Sequence, residues 1–81
     1  MHELSELEKA TLKSLAEEVD YSLSGHASTE DITRNFPKYL RGNVKKCLGN
    51  IRTKKLCNRV GGKRNTRWRL SREGLNVAKQ F

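Results

Sequence analysis

Val60-Gly61-Gly62-Lys63-Arg64-Asn65-Thr66-Arg67-Trp68-Arg69-Leu70 reads as the turn and return strand of a two-stranded ribbon. Gly61, Gly62 and Asn65 tolerate the positive φ that tight hairpin turns require, so a tip of about five residues is expected between the strands. Period-two alternation sets Trp68 and Leu70 on one face and Arg67 and Arg69 on the other. Trp68 is therefore expected to lie under the ribbon as a lid on the core. Leu56 to Val60 supplies the first strand, with Leu56, Asn58 and Val60 expected on one side.

Upstream of the ribbon, Val44, Leu48 and Ile51 recur at steps of four and three, and Cys47 extends their face. At about 100° per residue this is one apolar stripe, predicting a helix over 41–54. The same rotation turns Gly42, Lys46, Gly49 and Thr53 outward, flanked by Asn43, Lys45, Asn50 and Arg52, a face without an acid or a large apolar residue. Gly49 costs about 1 kcal/mol relative to alanine in a helix interior. It marks either close backbone approach to a ligand or neighbour, or a tolerated weakness.

Ser5-Glu6-Leu7-Glu8 carries a capping-box spacing and opens a first helix expected over 6–20, with Leu12, Leu15, Ala16 and Val19 inward and Leu4, Leu7 and Leu23 as outlying partners. Ser28 or Thr29 caps a short second helix over 30–35, with Ile32 and Phe36 inward and Glu30 and Asp31 in the first turn, where the helix dipole favours them. Pro37 ends it, and Phe36 to Gly42 is expected to be a turn anchored by Tyr39 and Leu40. Ser71 caps a last helix in which Leu75 and Ala78 pack on the body, while Val77 and Phe81 are candidates for a partner surface.

With 81 residues the expectation is a single domain over 1–81 of α+β class, near the lower size at which one core suffices. The net charge of +8 is segregated: residues 1–31 hold 2 basic and 8 acidic side chains, net −6, and residues 32–81 hold 15 basic and 1 acidic, net +14. A basic cluster of that size is felt by polyanions across about one Debye length, roughly 8 Å. Cys47, Cys57, His2 and His26 form no metal-ligand spacing, so no metal and no cofactor are expected and both thiols are assigned to the core. No membrane span, signal peptide or transit peptide is apparent, and a cytoplasmic protein is expected. His26, Ser28 and Asp31 cluster at a helix start as caps, and Gly61-Gly62-Lys63 lacks the spacing of a phosphate loop, so no enzyme is expected.

The order helix, short extended segment, helix, turn, basic helix, basic hairpin, final helix resembles the winged helix-turn-helix family of DNA-binding domains in archaeal and bacterial regulators. The likeness spans almost the whole chain. It is carried by Thr29-Glu30-Asp31-Ile32, by Val44-x3-Leu48-x2-Ile51, by Lys55-Leu56, and above all by Arg67-Trp68-Arg69-Leu70-Ser71-Arg72-Glu73-Gly74. The resemblance implies a three-helix core, a two-stranded wing and a C-terminal helix. It implies double-stranded DNA as partner, with the third helix in the major groove. Asn43 and Asn50 would then meet adenine edges, Lys46 guanine or phosphate, and Lys45 and Arg52 the backbone, with Thr53 a further DNA-binding residue of the same helix. Lys38 and Arg41 would hold phosphates at the helix entry, with Lys63, Arg64, Arg67 and Arg69 on the wing side.

Two departures from the family are visible. Lys54-Lys55 stands where a glycine often precedes the strand, and Gly42 and Gly49 interrupt the third helix. A winged-helix module that docks protein or RNA is the alternative, although the chain lacks the clustered aromatics that stack single-stranded bases. Leu4, Leu7, Val77 and Phe81 fit either a homodimer or the closing of one small core. No small-molecule effector site is apparent.

Overall fold

The computed structural model describes residues 3–61 and 66–81. Helix α1 covers Glu6–Glu18 and starts at the capping box: Glu8 N–H donates to Ser5 Oγ at 3.1 Å, and Ser5 N–H donates to Glu8 Oε1 at 2.9 Å. Strand β1, Ala27–Ser28, leads into α2, Thr29–Thr33. Ser28 is its cap and makes a second reciprocal box with Asp31, at 3.0 and 3.3 Å. Ser71 caps α4, Arg72–Ala78, by accepting from Gly74 N–H at 2.9 Å.

Helix α3 runs Lys38–Thr53, three residues earlier than the apolar stripe alone predicts. Pro37 is its N-cap residue, so the segment 38–42 expected as a turn is the first turn of the helix. Tyr39 consequently does not anchor anything: it points outward and is 81% exposed, while Leu40 is half-buried. Proline excludes helical geometry from the residue before it and leaves the residues after it free to coil; that asymmetry accounts for the shifted boundary.

The apolar stripe packs as read. Leu12, Leu15 and Ala16 of α1, Ile32 of α2, and Val44, Leu48 and Ile51 of α3 are fully buried around one core. Leu4, Leu7, Phe36, Leu75 and Val77 lie partly buried against it. Ser14 Oγ donates to Ile32 O at 3.2 Å, and Asn35 Nδ2 donates to Ser14 Oγ and Glu18 Oε1, both at 2.9 Å, which pins the end of α2 to α1.

Helix α3 ends on a left-handed residue. Lys55 has φ 67°, Leu56 N–H donates to Ile51 O at 2.9 Å and Lys55 N–H to Arg52 O at 2.9 Å, the paired reverse bonds of a Schellman terminus. Lysine there costs about 1–2 kcal/mol of backbone strain, which full burial of Leu56 side by side with Ile51 offsets with about 2 kcal/mol. Because Leu56 is swung under the helix end, strand β2 begins at Cys57 and covers Cys57–Val60. Leu56 and Cys57 are both fully buried and Asn58 and Arg59 are exposed, so the expected grouping of Leu56, Asn58 and Val60 on one side is wrong.

Strand β3, Arg67–Leu70, pairs antiparallel with β2 (Cys57 opposite Leu70, Arg59 opposite Trp68) and, on its other edge, with β1 (Ala27 opposite Trp68). The sheet order is β1-β3-β2. Trp68 is 8% exposed and its Nε1 donates to Thr29 Oγ1 at 2.8 Å, so it is the expected lid. Gly61 has φ 97° at the start of the turn. The fold is a small α+β winged helix-turn-helix, with α1, α2 and α3 as its core, β2 and β3 as the wing and α4 closing the end.

Gly74 has no room for a side chain, because a Cβ there would meet Leu56 O at 1.7 Å. Gly74→Ala is expected to lower stability by about 3 kcal/mol, whereas Lys55→Gly is expected to raise it by about 1 kcal/mol; thermal unfolding followed by circular dichroism gives both signs. Acidification acts on the two capping boxes. Hydrogen bonding from Ser5, then Lys54, holds the Glu8 carboxyl below its ordinary 4.5, and the Ser28 hydroxyl and N–H hold Asp31 below its ordinary 3.8. Both contributions are complete above those ordinary values and are lost as pH falls below them and through the lowered values of the folded protein. The melting temperature is therefore expected to drop below about pH 5, with a shallower drop in Glu8→Gln.

Candidate nucleic-acid interface

Helix α3 carries five cations and no acid in sixteen residues. Its inward stripe fixes the rotation, so Gly42, Asn43, Lys45, Lys46, Gly49, Asn50, Arg52 and Thr53 are all exposed, as is Lys38. Gly42 and Gly49 have nothing within 4 Å of a built Cβ. Close approach to a neighbour within the described chain is thus removed as the reason for Gly49, leaving an external ligand or a tolerated weakness. Thr53 Oγ1 donates back to Gly49 O at 3.0 Å.

The two ends of α3 are held differently. At its start, Arg41 is half-buried and its Nε donates to Phe36 O at 3.2 Å, tying the turn between α2 and α3. Arg41 then lines an open cleft of about 370 Å³ with Glu30, Thr33, Arg34 and Lys45. Arg34 is a cation that the sequence reading did not place at the site; it follows α2 and reaches Asp31 at 3.2 Å. Its signal was its position three residues after an acid on a short helix that ends beside α3.

At the other end of α3, Lys54 Nζ donates to Glu8 Oε1 at 3.0 Å and to Glu3 O at 2.8 Å, fastening the helix to α1. Asn50 also contributes, least of the causes, to lowering the Glu8 carboxyl. Glu8, only 7% exposed, is the buried acid that periodicity marked merely as a cap.

On the wing, Arg67 and Arg69 are exposed but their guanidinium groups are engaged. Arg67 Nη1 donates to His26 Nδ1 at 3.2 Å, and Arg69 Nη2 to Leu23 O at 3.0 Å. Arg59 Nη2 donates to Thr66 Oγ1 at 3.4 Å. Lys63 and Arg64, named for the wing tip, lie outside the described residues. The structure brings Lys38, Asn43, Lys45, Lys46, Arg52 and Thr53 onto one exposed helix face and sets Arg67 and Arg69 on the sheet beside β1.

Cys47 and Cys57 are both buried and free. Burial raises the Cys47 thiol and pushes the Cys57 thiol up to about 12. Neither thiol ionises near neutrality, in keeping with the core positions expected of them. No group of three or more potential metal-binding side chains occurs among the described residues, and no helix among them is long and apolar enough to cross a membrane.

No family model matches the chain, and no curated protein matches it in sequence. Among solved structures it is similar to Bordetella bronchiseptica BpsR, from work on the mechanism by which 6-hydroxynicotinic acid regulates DNA binding of that protein. The TM-score is 0.73 at 15% identity over 95% of this chain, which spans about half (52%) of the BpsR chain. At that identity the likeness establishes the shared fold. Because the Gly49 position is open, Gly49→Ala is expected to raise stability by about 1 kcal/mol, read as a melting temperature about 5 °C higher.

Proposed function

We propose that the chain is a double-stranded DNA-binding domain of a transcriptional regulator in the winged helix-turn-helix family, acting in the cytoplasm by occupying a site on DNA. The observation that carries this reading is the outward face of α3, with its exposed cations, exposed amides and complete lack of carboxylates. An α-helix of this kind fits the major groove, and amide side chains pair with adenine edges there. Asn43 and Lys46, one helical turn apart on the exposed face, are the base-reading residues of this proposal. Lys38, Arg41, Lys45 and Arg52 take the phosphates, joined by Arg34 across the α2–α3 cleft. Lys63 and Arg64 extend the contact along the backbone or into the minor groove, with Arg67 and Arg69 behind them. Thr53 and Asn50 sit at the far end of the face, where the Glu8–Lys54 pair holds the helix to α1.

The fold shared with BpsR, whose DNA binding is regulated by a small aromatic acid, agrees with this reading. Leu4, Leu7 and Val77 pack against the core of their own chain, which leaves Phe81, 43% exposed, as the most accessible of these four residues for a second copy.

A titration of a labelled duplex of about 30 base pairs tests the proposal. With about five phosphates neutralised, affinity is expected to fall several hundredfold between about 50 and 200 mM salt. Replacing Lys45 and Arg52 together with alanine is expected to weaken every duplex and to lower the salt slope by about 2. Asn43→Ala is expected to change sequence preference more than affinity. Absence of duplex binding at the lower salt overturns the proposal.

A further inference from the structure

Tyr39 is the one large apolar side chain on a face otherwise made of cations, amides, glycines and a threonine. It is 81% exposed, more than any other large hydrophobic among the described residues. Helical rotation sets it in a row with Asn43, Lys46 and Asn50, at steps of four, three and four, and all three are exposed. Gly42, one turn on, offers a position with nothing within 4 Å of its built Cβ, so the flank of the ring is free of protein. The fold does not require the ring: Pro37 positions the first turn and Leu40 supplies the packing against the core.

We propose that Tyr39 lays its ring against the C5-methyl group of thymine and gives the protein a preference for thymine at the position where the start of α3 enters the groove. This rests on the DNA-binding reading above. The major-groove edges of the four base pairs are hydrogen-bonding groups with one exception, the thymine methyl, and apolar side chains that reach the groove meet it. An exposed ring presented on the helix face most suited to that groove therefore has one apolar partner on the base edges. Gly42 leaves the gap into which the methyl and its base edge fit beside the ring. Asn43, next in the row, faces the adjacent pair.

The methyl can be removed without touching any hydrogen-bonding group. Three duplexes of equal length are compared: alternating A·T, the same duplex with deoxyuridine in place of every thymine, and alternating G·C. The wild-type chain is expected to bind the thymine duplex about fourfold more tightly than the uracil duplex for one methyl buried. Tyr39→Phe is expected to keep that ratio, and Tyr39→Ala to bring it close to one while changing affinity for the G·C duplex little. At 81% exposure the side chain is removable without unfolding, and an unchanged melting temperature verifies it. Equal wild-type binding to the thymine and uracil duplexes, or a ratio that survives in Tyr39→Ala, overturns the inference while leaving DNA binding intact. Failure of the wild type to bind any of the three overturns the DNA-binding reading itself.

Discussion

The peptide of Leu56 is the joint on which the molecule turns. Its N–H closes the end of α3 on Ile51 O, its side chain is fully buried, and its carbonyl accepts from Ser71 N–H at 3.2 Å while lying against the α-carbon of Gly74. One residue thereby ends the third helix, starts the wing and receives the fourth helix. Ser71 Oγ reinforces the joint by donating to Lys55 O at 2.7 Å while capping α4. The left-handed Lys55 is the strained link that makes this crossing possible, and the buried contacts around it hold that conformation in place.

Charge is organised around the same frame. The acid-rich first helix and the acid-free third helix meet at Glu8 and Lys54, where an almost buried carboxylate receives an ammonium that also satisfies Glu3 O. The signs meet again at the start of α3, where Glu30 lines the cleft with Arg41 and Lys45 and Arg34 pairs with Asp31. The exposed Glu17 and Glu18 of α1 lie on a different helix from the cations of α3, so the basic face has no carboxylate of its own helix to compete with a polyanion. Solvent screening limits such a field to about 8 Å at physiological ionic strength, which confines its action to what touches that face.

What was legible in the sequence was local. Caps at Ser5, at Ser28 or Thr29 and at Ser71, the Val44, Leu48 and Ile51 stripe, and the alternation of Trp68 and Leu70 with their arginines each follow from spacing within one element, and the structure has all of them, with Ser28 as the second cap. What was missed depended on contacts between elements. Tyr39 read as an anchor because the segment 36–42 read as a turn, and only the actual start of α3 rotates it outward. Leu56 broke the period of β2 because a left-handed residue intervened, putting two consecutive side chains inside. Glu8, Asn50 and Lys54 lie on two helices far apart in sequence, and Arg34 joined the α3 face only through the packing of α2.

Arg67 and Arg69 hold His26 and Leu23, so the ribbon is tied to the segment linking α1 to α2 as well as to α3 through Leu56. The angle between ribbon and third helix is consequently shared between that linker and the Leu56 joint. Chains that keep every residue of α3 but lengthen or shorten the stretch 22–26 would carry the ribbon to a different place along a bound surface. In such chains the outline of the basic surface would change without any change in the residues of α3.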